Sequence, residues 1–149
     1  MKFNLVVTEI THGELVSIFS ILPAEHDFEV NIKKVDWKKI EKKALAEWAK
    51  THPNDEYCFE DKCADILLNG GKIYVTDIYA EGVVYGTLKH SVDEEDESVT
   101  YEVTYEDFLK GFSDPAAIEH VKDLADENDD YETAFCLIQY ATFGEEIYG

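Results

Sequence analysis

The sequence predicts an α+β fold: a largely antiparallel sheet of about six strands, in two three-stranded runs, with helices packed against it. Three observations lead there. Residues 72–80 and 83–88 are rich in Ile, Val, Tyr and Thr and flank the dipeptide Glu81-Gly82, the short-range signature of a β-hairpin. Residues 98–104 alternate, with Val99, Tyr101 and Val103 on one face and polar residues on the other. Everything after Thr104 carries helix caps and helical apolar spacing.

In chain order, three strand-like runs come first. Phe3, Leu5 and Val7 share a face, and Thr11, His12, Gly13 and Glu14 read as a turn. Residues 15–22 (LVSIFSIL) are apolar on both faces, as a central strand would be, and Pro23 ends them. Phe28, Val30 and Ile32 then alternate with Glu29 and Asn31. Asp36 is placed to cap a helix over residues 37–50. On it Trp37, Ile40, Ala44 and Trp48 form one stripe, with Lys38, Lys39, Lys42, Lys43 and Lys50 opposite. A second helix presents Phe59, Cys63, Ile66 and Leu67 and stops at Asn69-Gly70-Gly71, where glycine can turn left-handed.

After the hairpin, the consecutive acids Asp93, Glu94, Glu95, Asp96 and Glu97 repel one another and read as a solvated loop. Thr104 caps a short helix to Phe112, and Asp114 followed by Pro115 starts another that runs to about Ala125. Asp126, Glu127, Asn128, Asp129 and Asp130 break it. The last helix, residues 131–143, is apolar nearly all round, so it is either central in the fold or covered by a partner. Gly144 closes it, and residues 145–149 read as a tail. The run Val35-Asp36-Trp37-Lys38-Lys39-Ile40 echoes Val103-Thr104-Tyr105-Glu106-Asp107-Phe108 at an offset of 68 positions, which suggests a weak internal duplication.

The chain of 149 residues has the size of one domain, 1–149. At 45% apolar residues it can bury a core without disulfides or a metal. It has no apolar run near the roughly 20 residues of a membrane span. Its first residues lack the apolar length of a signal peptide, so a cytoplasmic protein is expected. Cys58, Cys63 and Cys136 are odd in number and show no paired spacing, which predicts buried free thiols. Cys58 and Cys63 would stand about 140° apart on a helix and could not share a metal.

Motifs that carry chemistry are missing. Gly70-Gly71 precedes a strand, whereas a phosphate loop precedes a helix. His12, His26, His52, His90 and His120 are scattered. Asp126, Asn128 and Asp130 match the first, third and fifth positions of an EF-hand loop, but Tyr131 stands where Gly is needed and Leu137 where Glu is needed. No catalytic residue, cofactor or metal ligand is expected, and the protein is expected not to be an enzyme.

Charge is the informative quantity. Against 33 acids stand 13 basic residues, all of them lysine, for a net charge of −20. That balance, without one arginine fork, argues against nucleic acid or an anionic membrane as a partner. Residues 1–92 hold 15 acids and 11 lysines; residues 93–149 hold 18 acids and two lysines, a net of −16. We therefore expect an acidic edge made of Asp93, Glu94, Glu95, Asp96, Glu97, Asp126, Glu127, Asp129 and Asp130 that engages a basic protein. Such a chain would be a non-enzymatic interaction module: an inhibitor, an immunity-type protein or a nucleic-acid-mimicking decoy. Two other readings stand beside it. A pocket between sheet and helices would make it a small-ligand binder. A last helix buried between copies would make it a homo-oligomer; the lysine-rich helix could also meet the acidic half of the same chain or of a second copy, the latter giving a charge-steered homodimer. Acidity that only keeps the chain soluble is the remaining explanation.

Overall fold

The alternation in two strands sets the plane of the molecule. The computed structural model describes residues 6–22 and 28–149. Within them lie helix α1 (His12–Ile21), strand β1 (Phe28–Asn31), helices α2 (Lys34–Thr51) and α3 (Phe59–Leu68), and strands β2 (Lys72–Asp77), β3 (His90–Val92) and β4 (Val99–Thr104). Helix α4 (Tyr105–Phe112), a 3₁₀ turn (Pro115–Ala117), and helices α5 (Ile118–Ala125) and α6 (Tyr131–Phe143) complete the chain. The strands form one antiparallel sheet in the order β1-β2-β4-β3. In register, Ile73 faces Val103, Val75 faces Tyr101 and Asp77 faces Val99, and all six are buried. The opposite face is wetter: the Thr76 and Thr100 hydroxyls bond at 2.8 Å, and Lys72 and Lys89 both pair with Glu102. A sheet with one apolar face takes its helices on that side, and α3, α4 and α6 contact it there.

Helix α6 is the centre of the fold. Ten of its thirteen residues are buried, including Gln139, and it contacts α1, α4, α5 and β4. Helix α4 crosses it backbone to backbone: a Cβ on Gly111 would stand 2.3 Å from the Tyr140 carbonyl oxygen. The question left open by its all-round apolar surface is thereby answered, since its own chain covers it.

The α+β class holds, but the six strands in two runs do not. The described sheet has four. Residues 15–21 belong to α1 and Leu22 is its C-cap; Thr11 and Glu14 start the helix with a capping box, in which the Thr11 hydroxyl accepts from the Glu14 N–H and the Glu14 carboxylate accepts from the Thr11 N–H. Phe3 and Leu5 lie outside the described residues. Val7 is in an irregular segment, its N–H donating to the Ser113 hydroxyl at 2.8 Å. Among the described residues of these opening runs, the strand that forms is Phe28–Asn31.

The hairpin expected over residues 72–88 does not pair. Its turn exists, with both Glu81 and Gly82 at positive φ and the Val83 N–H bonded to the Ala80 carbonyl. However, β1 and β4 occupy both edges of β2, so residues 83–88 pass over the end of α6 instead. There the Tyr85 N–H donates to the buried Tyr101 hydroxyl, and Gly86 lies against the Phe143 carbonyl. The hairpin that does form joins β3 to β4 around the acid run. Helix α2 begins at Lys34, so Asp36 sits inside its first turn rather than at the cap. Thr104 is a true cap of α4, bonded reciprocally with Asp107, so the suggested duplication loses its anchor. Phe59, assigned to the apolar face of α3, is 41% exposed. Cys63, Ile66 and Leu67 are buried as expected.

Candidate functional site

The residues that read as a tail are a docked strap. Gly144, in the left-handed conformation at φ 79°, caps α6 and reverses the chain. The strap then runs back along the helix. Buried Gln139 grips it on both sides of the amide: its Oε1 accepts from the Ile147 and Tyr148 N–H groups at 2.8 Å each, and its Nε2 donates to the Tyr148 carbonyl at 3.1 Å. The Tyr148 hydroxyl donates to Asp77 Oδ2 at 2.8 Å, while Asp77 Oδ1 accepts from the Tyr79 N–H. Burial raises the Asp77 carboxyl above its ordinary value, and these two donors pull it partly back.

Docking the strap creates a groove of about 420 Å³ between α6, the start of β1 and the strap itself. Its walls carry five aromatic rings: Phe28, Tyr79, Tyr131, Phe135 and Tyr148. Phe135 stacks between Tyr131 (5.7 Å) and Phe28 (5.4 Å). Tyr79 is 57% exposed at the rim. The charged members described are Glu132 and Glu146. Rings with electron-rich faces beside carboxylates form a surface for a cation.

At one wall, three donors from three elements converge. His120 of α5, Cys136 of α6 and Glu146 of the strap place one imidazole nitrogen, one sulfur and one carboxylate oxygen all within 4.8 Å of one another. The Cys136 thiol donates to Glu146 Oε1 at 3.5 Å. Burial first, and then the Glu146 charge, push this thiol up to about 12, so at neutral pH it is protonated and is no nucleophile by itself.

The nine acids picked out by sequence fall in two places. Asp93, Glu94, Glu95, Asp96 and Glu97 make the β3–β4 hairpin loop. Asp93 Oδ1 accepts from the Glu95 and Asp96 N–H groups, and Asp96 Oδ1 accepts from the Ser98 N–H, which holds the Asp96 carboxyl below its usual range. Asp126, Glu127, Asp129 and Asp130 join α5 to α6. Asp129 accepts the Ser17 hydroxyl, and Asp130 caps α6 through the Thr133 N–H, which lowers its carboxyl too. Both segments thus have local turn and cap duties. Among the described residues, no ion pair involves any of the nine.

A second polar cluster ties helices together. Asp65 accepts the Tyr57 hydroxyl at 2.5 Å and stands 3.4 Å from His12 Nε2. Its hydrogen bond to Asp65 raises the His12 imidazole above its ordinary value against the effect of burial. The nearby Thr51 hydroxyl donates to the Glu47 carbonyl within its own helix. The cluster joins α1 to α3 and presents no nucleophile to the imidazole among its described bonds. Sequence reasoning missed the strap, the groove and the three-donor cluster. His120, Cys136 and Glu146 lie 16 and 10 positions apart and share no local motif. The findable signal was Gln139, an amide flanked by Leu137, Ile138, Tyr140 and Ala141. No protein-family model, no curated protein and no solved structure matches the chain.

Proposed function

We propose that the protein is a non-enzymatic, cytoplasmic interaction module that binds a basic protein, seating a lysine or arginine side chain of that partner in the aromatic groove. The observation that carries this reading is the pairing of five aromatic rings with two carboxylates in one concavity. A cation over an aromatic face gains roughly 0.5–2 kcal/mol, the more so when partly desolvated. The chain already uses such contacts on itself, with Lys62 over Trp37 at 5.1 Å and Lys33 over Tyr74 at 4.7 Å. The net charge of −20, with the acids of both loops outside any described ion pair, supports steering of a positive partner toward the chain. Three free cysteines fit a reducing compartment. No described helix is long and apolar enough to cross a membrane. Inhibitor, immunity-type protein and decoy are forms this binding could take.

The test is calorimetric titration of the full chain with a lysine-rich peptide, at about 50 mM and about 500 mM salt, with the lysine-acetylated peptide as control. The expected result is binding at low salt, lost on acetylation and weakened at high salt. The Glu132→Gln/Glu146→Gln pair is expected to lower affinity about tenfold. No binding at low salt would remove the reading, and unchanged affinity in the paired variant would remove the groove from it.

A further inference from the structure

We infer that His120, Cys136 and Glu146 form a site for a divalent transition-metal ion of the zinc class. The donor set makes the selection. Calcium and magnesium take oxygen ligands, whereas a site that mixes thiolate, imidazole and carboxylate suits zinc. Geometry is close to what the ion needs. With metal–ligand bonds of about 2.0–2.3 Å at tetrahedral angles, donor atoms stand roughly 3.3–3.8 Å apart. Cys136 Sγ and Glu146 Oε1 already stand 3.5 Å apart, and all three donors lie within 4.8 Å. Closure therefore requires movement on the order of 1 Å, within side-chain adjustment.

The scaffold holds the donors without help from the ion. Cys136 is buried on the central helix, and α5, which carries His120, packs against that helix. Glu146 precedes by one residue the two amides gripped by Gln139. Three protein ligands leave a fourth position for water, the pattern of open rather than closed zinc sites. Binding displaces the Cys136 thiol proton to solvent as the sulfur–metal bond forms. The acid loops offer no comparable site, since they present carboxylates alone. The metal site does not depend on the cation-binding reading, although Cys136 and Glu146 border the same groove.

The experiment is titration of the full chain, under reducing conditions, with Co²⁺ as a spectroscopic probe and then Zn²⁺ as competitor. One Co²⁺ per chain is expected, with a near-ultraviolet thiolate-to-cobalt absorption that one equivalent of Zn²⁺ removes. Cys136→Ser is expected to lose that absorption, and Cys58→Ser to keep it. Glu146→Gln and His120→Gln, on exposed and half-exposed residues, are expected to fold normally and to weaken Co²⁺ binding at least about tenfold. They decide the matter if Cys136→Ser proves unstable. No thiolate absorption in the parent chain, its survival in Cys136→Ser, or unchanged affinity in both surface variants would each overturn the assignment.

Discussion

The β3–β4 hairpin loop and the strap groove are both acidic, yet they use carboxylates in opposite ways. In the loop, Asp93 and Asp96 accept backbone N–H groups of their own turn, and the other acids stand in water. In the groove, Glu132 and Glu146 lie beside aromatic rings and a thiol, while the groups that secure the region are Gln139, Asp77 and Tyr148. Charge density alone therefore does not mark a site. A carboxylate already satisfied by amides of its own turn offers a partner little, whereas Glu132 and Glu146, also exposed, stand where aromatic faces can hold the same cation.

The sharpest way to break this contrast is Gln139→Leu. Three backbone bonds to the strap would be lost at about 1 kcal/mol each, so urea denaturation should register a loss of about 3 kcal/mol. A change below about 1 kcal/mol would mean that the strap is not held by this amide. Tyr148→Phe comes next. It leaves buried Asp77 Oδ2 without its donor and should cost about 1–3 kcal/mol in the same assay. In the loop, Asp93→Ala removes two turn bonds at an exposed site, and about 1 kcal/mol is expected. The double change Glu94→Gln/Glu95→Gln should stay within about 0.5 kcal/mol in stability, as surface substitutions do. A large loss there would show that the loop acids do more than face solvent.

The smallest effects depend on pH. The carboxyls of Asp96 and Asp130 are held low by the amides they cap. Their contribution is whole above the ordinary carboxylate range and is lost as pH falls through the lowered values. His12 works in the other direction. Its imidazole is raised above 6.5, so its bond to Asp65 stabilises fully below that value and fades as pH rises through the raised one. Urea midpoints measured across neutral pH should decline slightly on the alkaline side, and His12→Asn should flatten that decline.

Where local chemistry decided the outcome, the sequence was legible. Thr104 as the cap of α4, the alternation of Val99, Tyr101 and Val103, and the apolar girth of α6 all appear as read. The misreadings came where tertiary competition decided. Residues 15–22 are β-branched and aromatic enough for a strand, and a short apolar run carries no period that separates the two states. The capping box Thr11-x-x-Glu14 was the overlooked arbiter. Residues 83–88 have strand composition and a competent turn, but β4 holds the edge they would need. The groove was illegible for a related reason: Phe28, Tyr79, Phe135 and Tyr148 meet only after Gly144 reverses the chain and Gln139 captures it.

The burial of α6 on nearly every side has a consequence for amide hydrogen exchange. A helix enclosed by α1, α4, α5 and β4 has no local opening that would wet its backbone. Its amides should exchange last and together, at the rate of global unfolding, while those of the solvent-facing β3 exchange far sooner.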